Sequence, residues 1–153
     1  MRVPNRIPII RRVLNEENKT KYIEYLGLGD LSDDILSKWS KCDENELYNF
    51  WLDYPDLRLT QVLVEFNIIP NTPGFWFYVE EVNFLIESHI LEPRDVLFWG
   101  QNYDKDNNKL PETIYKPIKE LDTEHIKSIL SNVKNISSKY IDAFNNELKL
   151  RDR

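Results

Sequence analysis

The sequence predicts an α+β fold that is mainly helical, with a small antiparallel sheet or hairpin and a C-terminal helical hairpin. Three observations carry this expectation. Apolar residues recur at helical spacing through most of the first ninety or so positions. Two short aromatic and β-branched runs then flank the polar stretch DKDNN. Two capped, amphipathic segments follow to the end of the chain. With 153 residues, a single compact domain spanning 1–153 is expected, with subdomains 1–92 and 93–153 as the finer division.

In chain order, Pro8 suits the first turn of a helix, where its missing N–H costs nothing, and Ile9, Ile10, Val13 and Leu14 share a face. A second helix is expected over TKYIEYL, stopped by Gly27 and Gly29. Ser32 is the expected cap of DDILSKW. Asp43 and Glu46 have capping-box spacing ahead of Leu47, Phe50, Trp51 and Tyr54, and Pro55 ends that run. Residues 56–66 fit either a helix or a strand; the helix, capped by Asp56, is preferred. After the Pro70–Gly74 break, FWFYVEE reads as a strand and residues 83–90 as a helix before Pro93. RDVLFWGQNY and LPETIYKPI form the expected hairpin, with Val96, Phe98, Ile114 and Ile118 on its buried face. Asp122 and Ser137 are the expected caps of the final two helices. Their stripes are Ile126, Ile129, Leu130, Val133 and Tyr140, Ile141, Phe144, Leu148.

Composition excludes several chemistries. Cys42 is the only cysteine, so neither an internal disulfide nor a cysteine zinc cluster is available. No apolar run approaches the roughly 18 residues of a membrane span, and Pro8 and Arg11 interrupt the N-terminal apolar stretch. A soluble protein of the cytoplasm, without membrane partners, is the expectation. The net charge of -6 is spread along the chain and gives no electrostatic footprint for nucleic acid. Basic residues gather at the two ends (Arg2, Arg6, Arg11, Arg12; Lys149, Arg151, Arg153), where they read as solvated charges. With four glycines in all, a glycine-rich phosphate cradle is not expected. Nucleophile-elbow, P-loop, dinucleotide and zinc-protease signatures are absent.

The stretch with most apparent chemistry is FWGQNYDKDNNKLPETIYK. Asp104, Asp106 and Asn108 match three positions of a calcium loop. Lys109 stands where that loop needs its glycine, and Tyr115 where it needs a bidentate glutamate. A hairpin tip demands the same Asn and Asp residues, because they tolerate left-handed backbone and bond their own turn. No metal, cofactor or catalytic residue is therefore assigned. His89 and His125 read as surface or boundary residues, and Cys42, beside a helix start, lacks an evident histidine partner.

Two segments carry a resemblance. YPDLRLTQVLVEF followed by FWFYVEEVNFL resembles small uncharacterised bacterial and phage proteins with a "PDLRLGQLL" helix and a later "YVEDDEL" segment. It differs at Thr60, where those have Gly, in lacking the second acidic pair, and in an insertion over roughly residues 15–45. LFWGQNYDKDNNKLPETIYKPIKELDTEHIKSIL through ISSKYIDAFNNELKLR is similar to phage-encoded proteins with an aromatic-Gly strand, a polar turn, a second strand and two helices. The resemblance implies a phage or mobile-element origin and an α+β fold, and brings no activity.

The function expected is that of a non-enzymatic accessory protein acting through protein–protein interaction, with a host or defence factor or with a second copy as partner. Outward aromatics supply rigid contact area. On a strand, Trp76 and Tyr78 would face away from Phe75 and Phe77; if both strand faces were covered, all four would be core. Trp99 and Tyr103 pose the same question. The alternative is a small-ligand or nucleotide binder that stacks a ring on Trp76, Tyr78 or Trp99 and holds a phosphate with Arg58. A metal-dependent enzyme centred on Asp104 and Asp106 is the remotest reading.

Overall fold

Helix punctuation explains most of the architecture. The computed structural model describes residues 5–71 and 76–152, and the chain divides into two units, residues 1–90 and 91–153. The fold is α+β and mainly helical, with one two-stranded antiparallel sheet among the described residues and two helices at the C-terminus. No described helix is long and apolar enough to cross a membrane.

The first unit holds six helices among its described residues: α1 (Arg6–Val13), α2 (Glu16–Tyr25), α3 (Ser32–Lys41), α4 (Glu44–Asp53), α5 (Leu59–Glu65) and α6 (Glu81–Glu87). Pro8 lies in the first turn of α1, and Ile7, Ile10 and Leu14 are its buried side chains. Helix α2 starts earlier than expected because Asn15 caps it, accepting from the Asn18 N–H at 2.9 Å. Asp43 caps α4 through the N–H groups of Asn45 and Glu46. Of residues 56–66, Leu59–Glu65 form a helix and none of the described residues there is in a strand, but the cap is displaced. Arg58 occupies the cap position and its N–H donates to Gln61 Oε1 at 2.8 Å, so Asp56 does not cap α5. Ser32 is likewise already helical, following Leu31 at the cap position, and makes no capping bond.

Three of these helices end in the same way. Gly27, Asn67 and His89 take φ of +79°, +57° and +57°, and each is followed by an aliphatic residue whose N–H reaches back into the helix. Leu28 donates to Ile23 O, Ile68 to Leu63 O and Ile90 to Leu85 O, each at 2.9–3.0 Å. His89 is thus a helix terminator. Between them the helices enclose a core of large rings, with Tyr22, Trp39, Tyr48, Trp51 and Phe84 all essentially inaccessible. Trp51 satisfies its ring N–H on Leu57 O at 2.9 Å. Arg11 is engaged by this unit as well: it donates to Asn45 Oδ1 at 2.6 Å and lies 4.9 Å from the centre of the Tyr48 ring.

The strand expected over FWFYVEE is not present in its described part. Trp76–Tyr78 form a single 3-10 turn, and Glu81 already begins α6. Phe75 lies outside the described residues. A 3-10 turn does not alternate side chains across a sheet, which removes the expected pairing of Trp76 with Tyr78 on one face.

The second unit comprises α7 (Pro93–Val96), β1 (Phe98–Tyr103), β2 (Lys109–Pro117), a 3-10 turn at Ile118–Glu120, α8 (Thr123–Asn132) and α9 (Ser138–Arg151). Pro93 opens α7 instead of merely breaking the preceding helix, so residues 94–96 are helical and the strand starts at Phe98. Val96, Phe98 and Ile118 are buried as expected; Ile114 is not, being 45% exposed. The cores of α8 and α9 are Ile126, Ile129, Ala143 and Phe144, while Val133 and Ile141 are exposed. Asp122 and Ser137 hold the cap positions of α8 and α9 in extended backbone, without side-chain capping bonds.

Within this unit lies a buried carboxylate. Glu147, 2% exposed, accepts from Arg94 Nε at 2.6 Å and Nη2 at 3.0 Å, and from Arg151 Nε at 2.9 Å. Arg151 reaches on to Thr123 Oγ1 at 3.0 Å and to the Lys119 carbonyl at 3.2 Å. One cluster therefore ties α7, α8, α9 and the 3-10 turn together. Hydrogen bonds from Arg94 and then Arg151 outweigh burial and hold the Glu147 carboxyl below its ordinary pKa.

Candidate functional site

The hairpin of the second unit is where side chains leave the core. Phe98 pairs with Pro117, Trp99 with Lys116, Gly100 with Tyr115 and Gln101 with Ile114. Beyond Gln101 the register shifts, since Tyr103 pairs with Lys109, and β2 bulges with extra residues that include Pro111. Directly paired residues share a face. Trp99, Gln101, Ile114 and Lys116 therefore lie on one side, and alternation along β1 adds Tyr103.

The base of that face is anchored. Trp99 stands edge-on to Tyr140 and Phe144 of α9, with ring centroids 5.9 and 5.5 Å away, and Tyr140 OH donates to Phe98 O at 3.0 Å. Farther out the face opens to solvent, with Ile114 and Tyr103 45% and 54% exposed. On the opposite face Gly100 makes room for Tyr115. A Cβ there would sit 3.0 Å from the Tyr115 ring and from Thr113 Cγ2, so a larger residue would press on both side chains.

The turn itself is built by Asp104. Its Oδ1 accepts from the N–H groups of Asp106 and Asn108, both at 2.9 Å, its own N–H donates to Asn108 O, and Asn107 takes φ +62°. The carboxylate that would open a calcium loop is spent on the turn. Among the described residues, no group of three or more His, Cys, Asp or Glu side chains could hold a metal ion.

The remaining sequence-selected residues fall in the first unit and differ in accessibility. Trp76 is buried at 5% exposure, with its ring N–H on Pro70 O at 2.7 Å and its carbonyl accepting from Thr60 Oγ1 at 2.8 Å. It is a core residue. Tyr78 is 81% exposed. Arg58 is paired with Glu80 at 3.0 Å, which occupies the guanidinium that would otherwise hold a phosphate. Cys42 is half-buried with its thiol 3.0 Å from Trp39 O. Burial first, and then the Glu44 charge, push its pKa up and away from a reactive thiolate.

Sequence reasoning selected Trp99 and Tyr103 but missed their partners. Ile114 is expected on the buried face, but its pairing with Gln101 puts it on the exposed one. Tyr140 belongs to a helix stripe by its spacing, and nothing local to it signals that it bonds Phe98 O of β1. Comparison of the chain with family models, with curated proteins and with solved structures finds no match.

Proposed function

We propose that the protein is a non-enzymatic binding protein that engages another protein through the exposed outer face of its hairpin. One observation supports this reading: Tyr103 and Ile114 stand exposed on the same face as Trp99, whose ring is fixed on Tyr140 and Phe144. An aromatic and aliphatic surface on a pre-ordered β-scaffold loses little conformational entropy on binding, which is the property of interface anchors. The lone, half-buried cysteine is compatible with a reducing cytoplasm. Attribution to a phage or mobile element rests on the segment resemblance alone. The small-ligand reading loses its main support, because Trp76 is buried and Arg58 is paired.

The test is affinity capture from a bacterial lysate with the wild-type chain and with a Tyr103→Asp, Ile114→Asp double variant. A protein retained stoichiometrically by the wild type should disappear from the double variant and persist with Leu52→Asp, a control on the exposed side of α4. Equal retention by all three would remove the hairpin face as the binding surface.

A further inference from the structure

We propose that the outer edge of β2 pairs with the same edge of a second copy, about a two-fold axis through Ile114, to build a four-stranded sheet. The inference concerns the strand edge and not the face discussed above, so it stands whether or not another protein binds that face.

The orientation of the backbone comes first. The Ile118 N–H donates to Leu97 O at 3.0 Å, which makes 97 and 118 a hydrogen-bonded pair. Alternation of such pairs in an antiparallel ladder turns the N–H and C=O groups of Lys116 and Ile114 toward β1, and those of Tyr115 and Thr113 away from it. The same rule turns Phe98 outward on β1, and its carbonyl is taken by Tyr140 OH. The root of the β1 edge is thereby plugged. Among the described residues no strand pairs with the outer edge of β2, and Glu112, Thr113, Ile114 and Lys116 are exposed.

The sequence of that edge is self-complementary. Residues 112–116 read ETIYK between Pro111 and Pro117. An axis at Ile114 sets Thr113 against the partner's Tyr115, and Tyr115 against the partner's Thr113. These are the residues whose backbone groups point outward, and together they give about four new hydrogen bonds. Glu112, within the bulged part of β2, then falls opposite the partner's Lys116, and Lys116 opposite the partner's Glu112, flanking Ile114 and the partner's Ile114. Pro111 falls toward the partner's Pro117, which is buried within its own unit and, like Pro111, cannot donate, so the ladder ends after the proline-free stretch. Prolines commonly guard sheet edges; these two limit the pairing to one short register. Shifting the axis by one residue separates the charges and sets a proline opposite Thr113 or Tyr115, where it cannot donate.

Sedimentation of the full chain over a concentration series should show a reversible monomer–dimer equilibrium. Glu112→Lys and Lys116→Glu should each weaken it about tenfold, because each places like charges opposite one another twice. Mixing the two variants should restore the dimer, since the mixed pair is again complementary, as should combining both changes in one chain. In a Cys42→Ser background, Ile114→Cys should crosslink across the axis on mild oxidation, its Cα atoms lying at about 4.5 Å. A chain that stays monomeric throughout, with no crosslink at position 114, overturns the proposal. So does a dimer indifferent to both charge reversals.

Discussion

The two units solve the same problem with different materials. The first buries rings: Tyr22, Trp39, Tyr48, Trp51 and Phe84 fill its interior, with Tyr22 and Phe84 at 5.1 Å between centroids. The second has fewer large side chains and inserts a carboxylate, Glu147, between two arginines and among four elements. A ring-filled core is held by non-directional burial, which tolerates changes of pH and salt. A buried ion cluster fixes mutual orientation, and its contribution depends on protonation. The difference teaches that the unit carrying the exposed hairpin is also the one in which a charged cluster joins four elements. The buried carboxylate of the first unit, Glu81, instead accepts from the Leu59 N–H at 3.4 Å beneath its ring-filled core.

Removing a ring from the first unit should give the largest loss. Trp51→Ala deletes a buried side chain and its ring N–H bond to Leu57 O, so denaturant unfolding should show a loss of about 3–5 kcal/mol. Glu147→Gln should come next, at about 2–4 kcal/mol, with hydrogen exchange rising in α7 and α9. Its pH dependence is the sharper test. The folded pKa of Glu147 is depressed below the ordinary 4.5, so its stabilisation is complete above that value and is withdrawn as pH falls through the lower folded value. Acid unfolding of the Gln variant should lose that dependence, whereas Trp51→Ala should keep it. Asp43→Ala, which removes a cap from the ring-filled unit, should cost about 1 kcal/mol. The smallest effect expected is that of Asp104→Ala, a loss of about 0.5 kcal/mol confined to faster exchange at the Asp106 and Asn108 amides.

Much of this fold could be read from the chain because its signals are local. Pro8, Asp43 and the Ile126/Ile129 stripe act within a turn or two of themselves, and DKDNN announces a hairpin by turn chemistry alone. The errors arise where a distant partner decides. FWFYVEE has strand composition, yet Trp76 turns inward to bond Pro70 O and to receive Thr60 Oγ1. Asp56 looked like a cap because acid precedes an apolar run, but Gln61, by bonding Arg58 N–H, starts the helix two residues later. The ion cluster was invisible for the same reason: Arg94 and Glu147 are separated by 53 positions, and the terminal arginines read as ordinary solvated charge. At the candidate site, residue type picked out Trp99 and Tyr103. The exposure of Ile114 needed the register.

The three left-handed helix ends have a consequence for tracing the ancestry of this chain. Aligned on their terminating residue, they read IEYLGL, LVEFNI and LIESHI: an aliphatic residue, three intervening positions, a Gly, Asn or His, and a second aliphatic residue. The identity of the fifth letter is degenerate, because all three residues are used at one backbone conformation, while the spacing between the aliphatic letters is rigid. Distant kin are thus better sought by the interval than by the letters. Three such six-letter words, separated by gaps of any length, describe the first unit more durably than its tryptophans do.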